Sequence, residues 1–204
     1  MGLNITEAAS LAAIDRQIER IQSRMTPAEY EIVRQVIYHT ADFEYQSLLK
    51  FSNNALVKGA AALTAATPII VDVPEIQVSI VPQLQKTFIN PVYCCTTSAA
   101  IVKPEISRAA SGLAILAERY PNSISILGSD RDTLSKTVAL LQDKKIEPCL
   151  IISTPPLLIE PEIQQQLRNF SIPTISTAGS KGGANVAAAI FNSLVSLAWR
   201  AKQM

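Results

Sequence analysis

The sequence predicts a three-layer α/β/α fold built on a mainly parallel sheet of about five strands. Three observations carry that expectation. Short apolar runs recur at residues 69–73, 92–96, 123–127, 149–153 and 174–177, each of strand length and too short for a helix. Between most of them lie stretches with apolar residues at steps of three and four, the alternation expected when crossover helices cover parallel strands. No low-complexity run, fixed internal period or Pro/Gly/Ser linker interrupts the 204 residues, so residues 1–204 read as one domain.

Taken in order, the elements have local causes. Asn4 and Glu7 stand at capping-box spacing, and Leu11, Ile14, Ile18, Ile21 and Met25 then repeat on one face, which predicts an amphipathic first helix. Thr26, Pro27 and Glu29 supply an N-cap, a proline already at helical φ and a return partner for the cap, opening a second helix. Along it Ile32, Val36 and His39 fall at i, i+4 and i+7, which predicts that the imidazole faces inward near the helix end. Ser52, Asn53 and Asn54 are candidate caps for a small-residue helix through Leu56, Gly59 and Leu63, which Pro68 breaks before the first strand. Later helices carry Ile106, Ala110, Leu113 and Ala117, then Leu134, Val138 and Leu141, then Ile163 and Leu167, and residues 184–200 close the chain.

Composition excludes several functions. The 18 Lys and Arg residues against 17 Asp and Glu leave a formal charge of +1, and aromatic residues make up 5% of the chain. Neither a field for a phosphate backbone nor a base-stacking platform follows, so no nucleic-acid partner is expected. Cys94 and Cys95 are adjacent and Cys149 is distant, a pattern that gives neither a disulfide framework nor metal-ligand spacing. The longest apolar stretches, 60–66 and 148–152, fall short of the roughly 20 residues that span a bilayer. Asp15, Arg16, Glu19 and Arg20 interrupt the first apolar pattern, so no secretory signal is read and a cytoplasmic location is expected.

In an open parallel sheet the ligand cleft lies beyond the carboxyl ends of the strands. Here residues 123–127 run into Gly128-Ser129-Asp130, and residues 174–177 lead to Gly179-Ser180-Lys181-Gly182-Gly183 just before the last helix. The second turn can present backbone N–H groups at a helix N-terminus beside a lysine, which suits a phosphate or carboxylate. The competing reading is that Gly182 and Gly183 only permit a tight turn and close packing. Neither the Walker pattern nor the dinucleotide Gly-x-Gly-x-x-Gly occurs. His39 is the only histidine, which makes it the natural proton donor, or else a core histidine satisfied by a carbonyl. A Ser–His–Asp hydrolase using Asp42 or Asp72 lacks the Gly-x-Ser-x-Gly elbow that would expose its nucleophile.

The segment Val36-Ile37-Tyr38-His39-Thr40-Ala41-Asp42-Phe43, followed by Phe51-Ser52, Ala55, Gly59, Ala62-Leu63, Pro68-Ile69 and Asp72-Val73, resembles the N-terminal half of precorrin-8X methylmutases. Ser107-Arg108-Ala109-Ala110 is similar to the family's Thr-Arg-Ser-Ala-Ala stretch, and Ile126-Leu127-Gly128 to its strand ending in glycine. Gly182-Gly183 with Ala187-Ala188-Ala189 and Asn192 resembles its C-terminal signature. The resemblance implies an isomerase of cobalamin biosynthesis that moves a methyl group from C11 to C12 of precorrin-8X, or of its cobalt form, to give hydrogenobyrinic acid or its cobalt form. It implies that His39 is catalytic and protonates the ring-C region, that no cofactor is required, and that the chain forms a homodimer. Ser107, Arg108, Gly128, Ser129, Lys181, Gly182 and Gly183 are then candidates for binding the tetrapyrrole substrate, with Arg108 and Lys181 as local clamps for its carboxylates. The alanine-rich stretches 60–66 and 184–189 would permit close helix contact between two copies.

The chain departs from the family pattern at three turns. Ala178-Gly179-Ser180-Lys181-Gly182-Gly183 replaces an Arg-Gly-Arg-Arg/Lys-Gly-Gly stretch, Ser129-Asp130-Arg131-Asp132 replaces Asn-Ala-Pro-Thr, and Ser153-Thr154-Pro155-Pro156-Leu157-Leu158 replaces a Gly-x-Pro-Val-Gly-Phe turn. The alternatives to an isomerase are a catalytically silent tetrapyrrole-binding paralogue, and a doubly wound enzyme for a small phosphorylated or carboxylated metabolite held by the Gly179 to Gly183 turn.

Overall fold

The computed structural model describes residues 5–22, 24–52, 54–98, 106–129, 131–157 and 162–204. In chain order they form α1 (Ile5–Gln22), α2 (Pro27–Thr40), α3 (Tyr45–Leu48), β1 (Leu49–Phe51), α4 (Ala55–Thr64), β2 (Ile69–Val71), α5 (Pro74–Gln85) and β3 (Val92–Cys94). Then follow α6 (Cys95–Ser98), α7 (Arg108–Arg119), β4 (Ile124–Leu127), α8 (Arg131–Gln142), β5 (Leu150–Ser153), α9 (Glu162–Arg168), β6 (Thr174–Thr177) and α10 (Ala184–Lys202).

The start of α2 follows from its sequence. Thr26 Oγ1 accepts the Glu29 N–H at 3.2 Å, Glu29 Oε2 accepts the Thr26 N–H at 2.8 Å, and Pro27 takes the first helical position. Such a reciprocal cap is worth about 1 kcal/mol. The cap expected at Asn4 lies outside the described residues. The cap expected for α4 does not form as read: Asn54 adopts φ 64° without capping, and Ser52 Oγ instead accepts the Thr174 N–H at 2.7 Å. Asn53 lies outside the described residues.

The strands form one sheet in the order β1-β6-β5-β4-β2-β3. All neighbours are parallel except β1, which runs antiparallel to β6 with Leu49 opposite Thr177 and Lys50 opposite Ser176. The sheet thus has six strands rather than five; a three-residue edge strand carries no periodicity to detect. The helix α5 also escaped the sequence pattern because Pro82 lies inside it.

Alternation along each strand divides the core. Ile69, Val71, Ile124, Ile126, Leu150, Ile152 and Ile175 face the layer containing α10, α2, α4 and α5, whereas Ile70, Leu127 and Ile151 face α7, α8 and α9. Both faces are covered, which explains why the strands read as continuous apolar runs. At the centre of the first layer α10 buries Val186, Ile190, Phe191, Leu194 and Val195. Its Ala187, Ala188 and Ala189 are buried within the same chain, so this stretch packs inside the subunit and is not the surface for a second copy that the sequence suggested. Among the described residues no helix is long and apolar enough to cross a membrane.

Candidate active site

The turns that follow the parallel strands meet at the carboxyl edge of the sheet, and one buried acid organises them. Asp72, the residue after β2, is fully buried, and its Oδ2 accepts the Gly128 N–H at 2.8 Å, the Ser129 N–H at 2.7 Å and the Ser129 hydroxyl at 2.7 Å. Gly128 itself lies against the start of α10: a β-carbon there would stand 2.9 Å from the Ala184 Cα. A side chain cannot fit between them.

The turn after β6 is fixed to the turn after β5. Gly183 donates its N–H to the Thr154 carbonyl at 2.6 Å, and Thr154 Oγ1 donates to the Gly183 carbonyl at 3.1 Å. A β-carbon on Gly182 would sit 2.1 Å from the Thr154 oxygen. Gly183, at φ 128°, is the N-cap of α10 and no side chain caps that helix, so its first turn keeps the donor geometry that favours an anion.

Ser107 and Arg108 reach the same edge from β3. Ser107 caps α7 by accepting the Ala110 N–H at 3.2 Å, and its own N–H meets Asp132 Oδ2 at 3.3 Å. Arg108 Nε donates to the carbonyl of Thr96, just beyond β3, at 2.7 Å. The helix begins at Arg108, so Ile106, which the sequence placed on it, lies outside it and is 39% exposed; the serine cap decides the boundary.

His39 does not face inward. Val36 and Ile37 are buried, but Tyr38 and His39 are exposed on the last turn of α2, and their rings meet edge to face at 5.3 Å. The core-histidine reading therefore fails. Ala41 closes the helix in the left-handed conformation, at φ 54°, and donates its N–H to Ile37. Asp42 follows, and Lys181 Nζ lies 2.7 Å from its Oδ2 and 2.9 Å from Glu44 Oε2. The lysine holds the Asp42 carboxyl below the ordinary carboxylate range, with help from the Glu44 N–H, and both acids raise the Lys181 ammonium.

The fold thus gathers Gly128, Ser129, Gly182 and Gly183 around the start of α10, places Ser107 and Arg108 beside β3, and links the His39 end of α2 to the glycine turn through Lys181. Sequence reasoning missed Asp72 as the acceptor for the β4 turn, Thr154 as the partner of Gly183, and Asp42 with Glu44 as the partners of Lys181. The hydrolase alternative loses both of its acids, Asp42 to Lys181 and Asp72 to the β4 turn. Among the described residues no group of three His, Cys, Asp or Glu side chains is placed to hold a metal.

Residues 5–197 match the family model described as precorrin-8X methylmutase. The chain belongs to the precorrin-8X methylmutase family. Among curated relatives, the cobalt-precorrin-8 methylmutase of Synechocystis sp. is 31% identical over 206 residues, covering 94% of each chain. That of Methanocaldococcus jannaschii is 32% identical over 204 residues, covering 97% of this chain and 94% of the relative. The solved structure of precorrin-8X methyl mutase from Thermus thermophilus superposes with a TM-score of 0.88 at 26% identity over 96% of both chains. Membership in the precorrin-8X methylmutase family agrees with the observed sheet, and the carboxyl edge is where an open α/β fold places its ligand.

Proposed function

We propose that the chain isomerises precorrin-8X, or its cobalt form, by moving a methyl group from C11 to C12, with His39 as the proton donor. The observation that carries this reading is the place of His39. The chain's only histidine is exposed on the last turn of α2, three residues before the aspartate that Lys181 ties to the glycine turn.

The bond from the methyl group to C11 breaks as the bond to C12 forms, so atoms and electrons balance within the substrate. The protein has to supply orientation and one proton. Protonation of the ring-C region draws electron density through the conjugated ring as the methyl group moves, and the proton returns to the imidazole afterwards. Ser107, Arg108, Gly128, Ser129, Gly182 and Gly183 form the binding edge for a large, polycarboxylate ring. Arg108 is exposed at the start of α7 and is the candidate partner for a substrate carboxylate. The uncapped start of α10 supplies further N–H groups.

An anaerobic absorbance assay with precorrin-8X and its cobalt form tests the reading. Wild-type protein is expected to produce the corrin spectrum, and His39→Ala to bind substrate without converting it. Tight binding without turnover in wild type would make the chain a silent tetrapyrrole-binding relative. Tight binding of a small phosphorylated or carboxylated metabolite, with no affinity for the tetrapyrrole, would replace both readings. A cytoplasmic homodimer is the expected form, and light scattering on the purified protein tests its assembly.

A further inference from the structure

Three contacts converge on the segment that follows His39. Lys181 Nζ pairs with Asp42 Oδ2 at 2.7 Å and with Glu44 Oε2 at 2.9 Å. The other Asp42 oxygen accepts the Glu44 N–H at 2.9 Å, so one aspartate both closes its own turn and grips the lysine. The backbone supplies the third contact: Ala178 donates its N–H to the Leu48 carbonyl at 2.8 Å, and β1 continues as an antiparallel partner of β6. Residues 42–51 are therefore joined to residues 174–181 by a strand ladder at one end and by ion pairs at the other.

His39 is exposed and meets the Tyr38 ring edge-on, so its position relative to the glycine turn depends on the helix end that carries it. An ammonium lodged between two carboxylates is also a poor receptor for a third. A substrate acid would have to displace intramolecular partners that are present at high effective concentration. With side chains 43% and 27% exposed, the Lys181–Asp42 pair adds little to global stability. Its effect is local order.

We infer that Lys181, gripped by Asp42 and Glu44, is a positioning residue that fixes the His39 end of α2 against the glycine turn and sets the geometry of proton delivery. The catalytic consequence rests on the isomerase reading; the structural one does not.

Lys181→Met and Asp42→Asn, beside the conservative Lys181→Arg, test this with two readouts. In steady-state kinetics with precorrin-8X, both neutralising variants lower kcat by about ten- to hundredfold while KM stays within about twofold, because a misplaced donor costs rate rather than binding. Lys181→Arg keeps the cation and recovers most of the rate. In proton NMR of the free protein, the single imidazole gives one set of ring-proton signals. Lys181→Met and Asp42→Asn broaden or split that set, and Lys181→Arg leaves it sharp. A higher KM at unchanged kcat in Lys181→Met would make the lysine a substrate clamp and overturn the inference, as would sharp single signals in both neutralising variants. Wild-type protein without turnover sinks the isomerase reading alone, and the NMR comparison then decides whether the helix end is held.

Discussion

Asp72 and Ser129 are joined twice: a single carboxylate oxygen of Asp72 accepts both the backbone N–H and the hydroxyl of Ser129, each at 2.7 Å. The two residues lie just beyond β2 and β4, neighbouring strands in the sheet. The bond pair therefore shapes the turn after β4 from inside the protein and aims the Ser129 hydroxyl at Asp72. Whatever ligand occupies the carboxyl edge meets a turn that is already organised.

Asp72→Ala is expected to destabilise the protein by about 3 kcal/mol, because the Gly128 N–H and both Ser129 donors lose their acceptor beside a fully buried position. Asp72→Asn keeps one oxygen as acceptor and is expected to cost less. Urea unfolding of the two variants measures the order, and an Asn variant as unstable as Ala would show that the charge rather than the acceptor oxygen matters.

His39→Ala is expected to change folding stability by no more than about 0.5 kcal/mol, since the side chain is exposed and meets the Tyr38 ring edge-on. Turnover of precorrin-8X should nevertheless disappear. Thermal unfolding and the absorbance assay on the same preparation separate the two effects. A large loss of stability would return His39 to the structural role that its exposure argues against.

Much of this was legible in the sequence where a local rule is sufficient. The Thr26–Glu29 cap, the strand at Thr174–Thr177 and the three layers follow from spacing and hydrophobic period. Periodicity placed His39 on the inward face of α2, and the structure overturns that: the core stops at Val36 and Ile37, short of the final residues of the helix, and His39 is exposed. β1 was invisible because it is a three-residue strand, with an exposed lysine at its centre, held in place by its pairing with β6. The partners of Lys181, Asp42 and Glu44, lie well over a hundred residues away in the chain, and Thr154, the partner of Gly183, lies 29 residues before it; no local pattern encodes such pairs. The glycines announced a turn, and only the fold shows which carbonyl each one approaches.

Gly182→Ala is expected to destabilise the protein by about 2 kcal/mol, with Gly179→Ala as a comparison. At Gly182 the new methyl would stand 2.1 Å from the Thr154 oxygen, a backbone atom that cannot swing aside. At Gly179 the space is open, with only a leucine methyl at 3.9 Å, and the cost comes from its φ of 79°. Because Gly182 contacts the post-β5 turn, its substitution should also disturb substrate binding more than that of Gly179. Equal losses of stability and affinity at both positions would mean that backbone conformation, not the approach to Thr154, is what these glycines provide.

Asp42 has its carboxyl held below the ordinary carboxylate range, first by the hydrogen bond from Lys181 and then by the Glu44 N–H. Near pH 4 the unfolded chain therefore binds more protons at this site than the folded one. The stabilisation it provides is complete above the unfolded value of about 3.9 and is lost as pH falls through the lower, folded value. Lys181 has the mirror behaviour: its ammonium is raised in the folded state, so its contribution is complete below about 10.4 and is lost only as pH rises through the folded value. At neutral pH both halves are charged. The melting temperature of wild type should slightly exceed that of Asp42→Asn at pH 7, and the gap should shrink as pH falls below about 4 toward the folded value and narrow with added salt, since both side chains are partly exposed. A gap that persists unchanged well below pH 4 would mean that the charge on Asp42 is not what separates the two proteins, because protonation removes the ion pair while aspartic acid and asparagine both keep an oxygen to accept the Glu44 N–H.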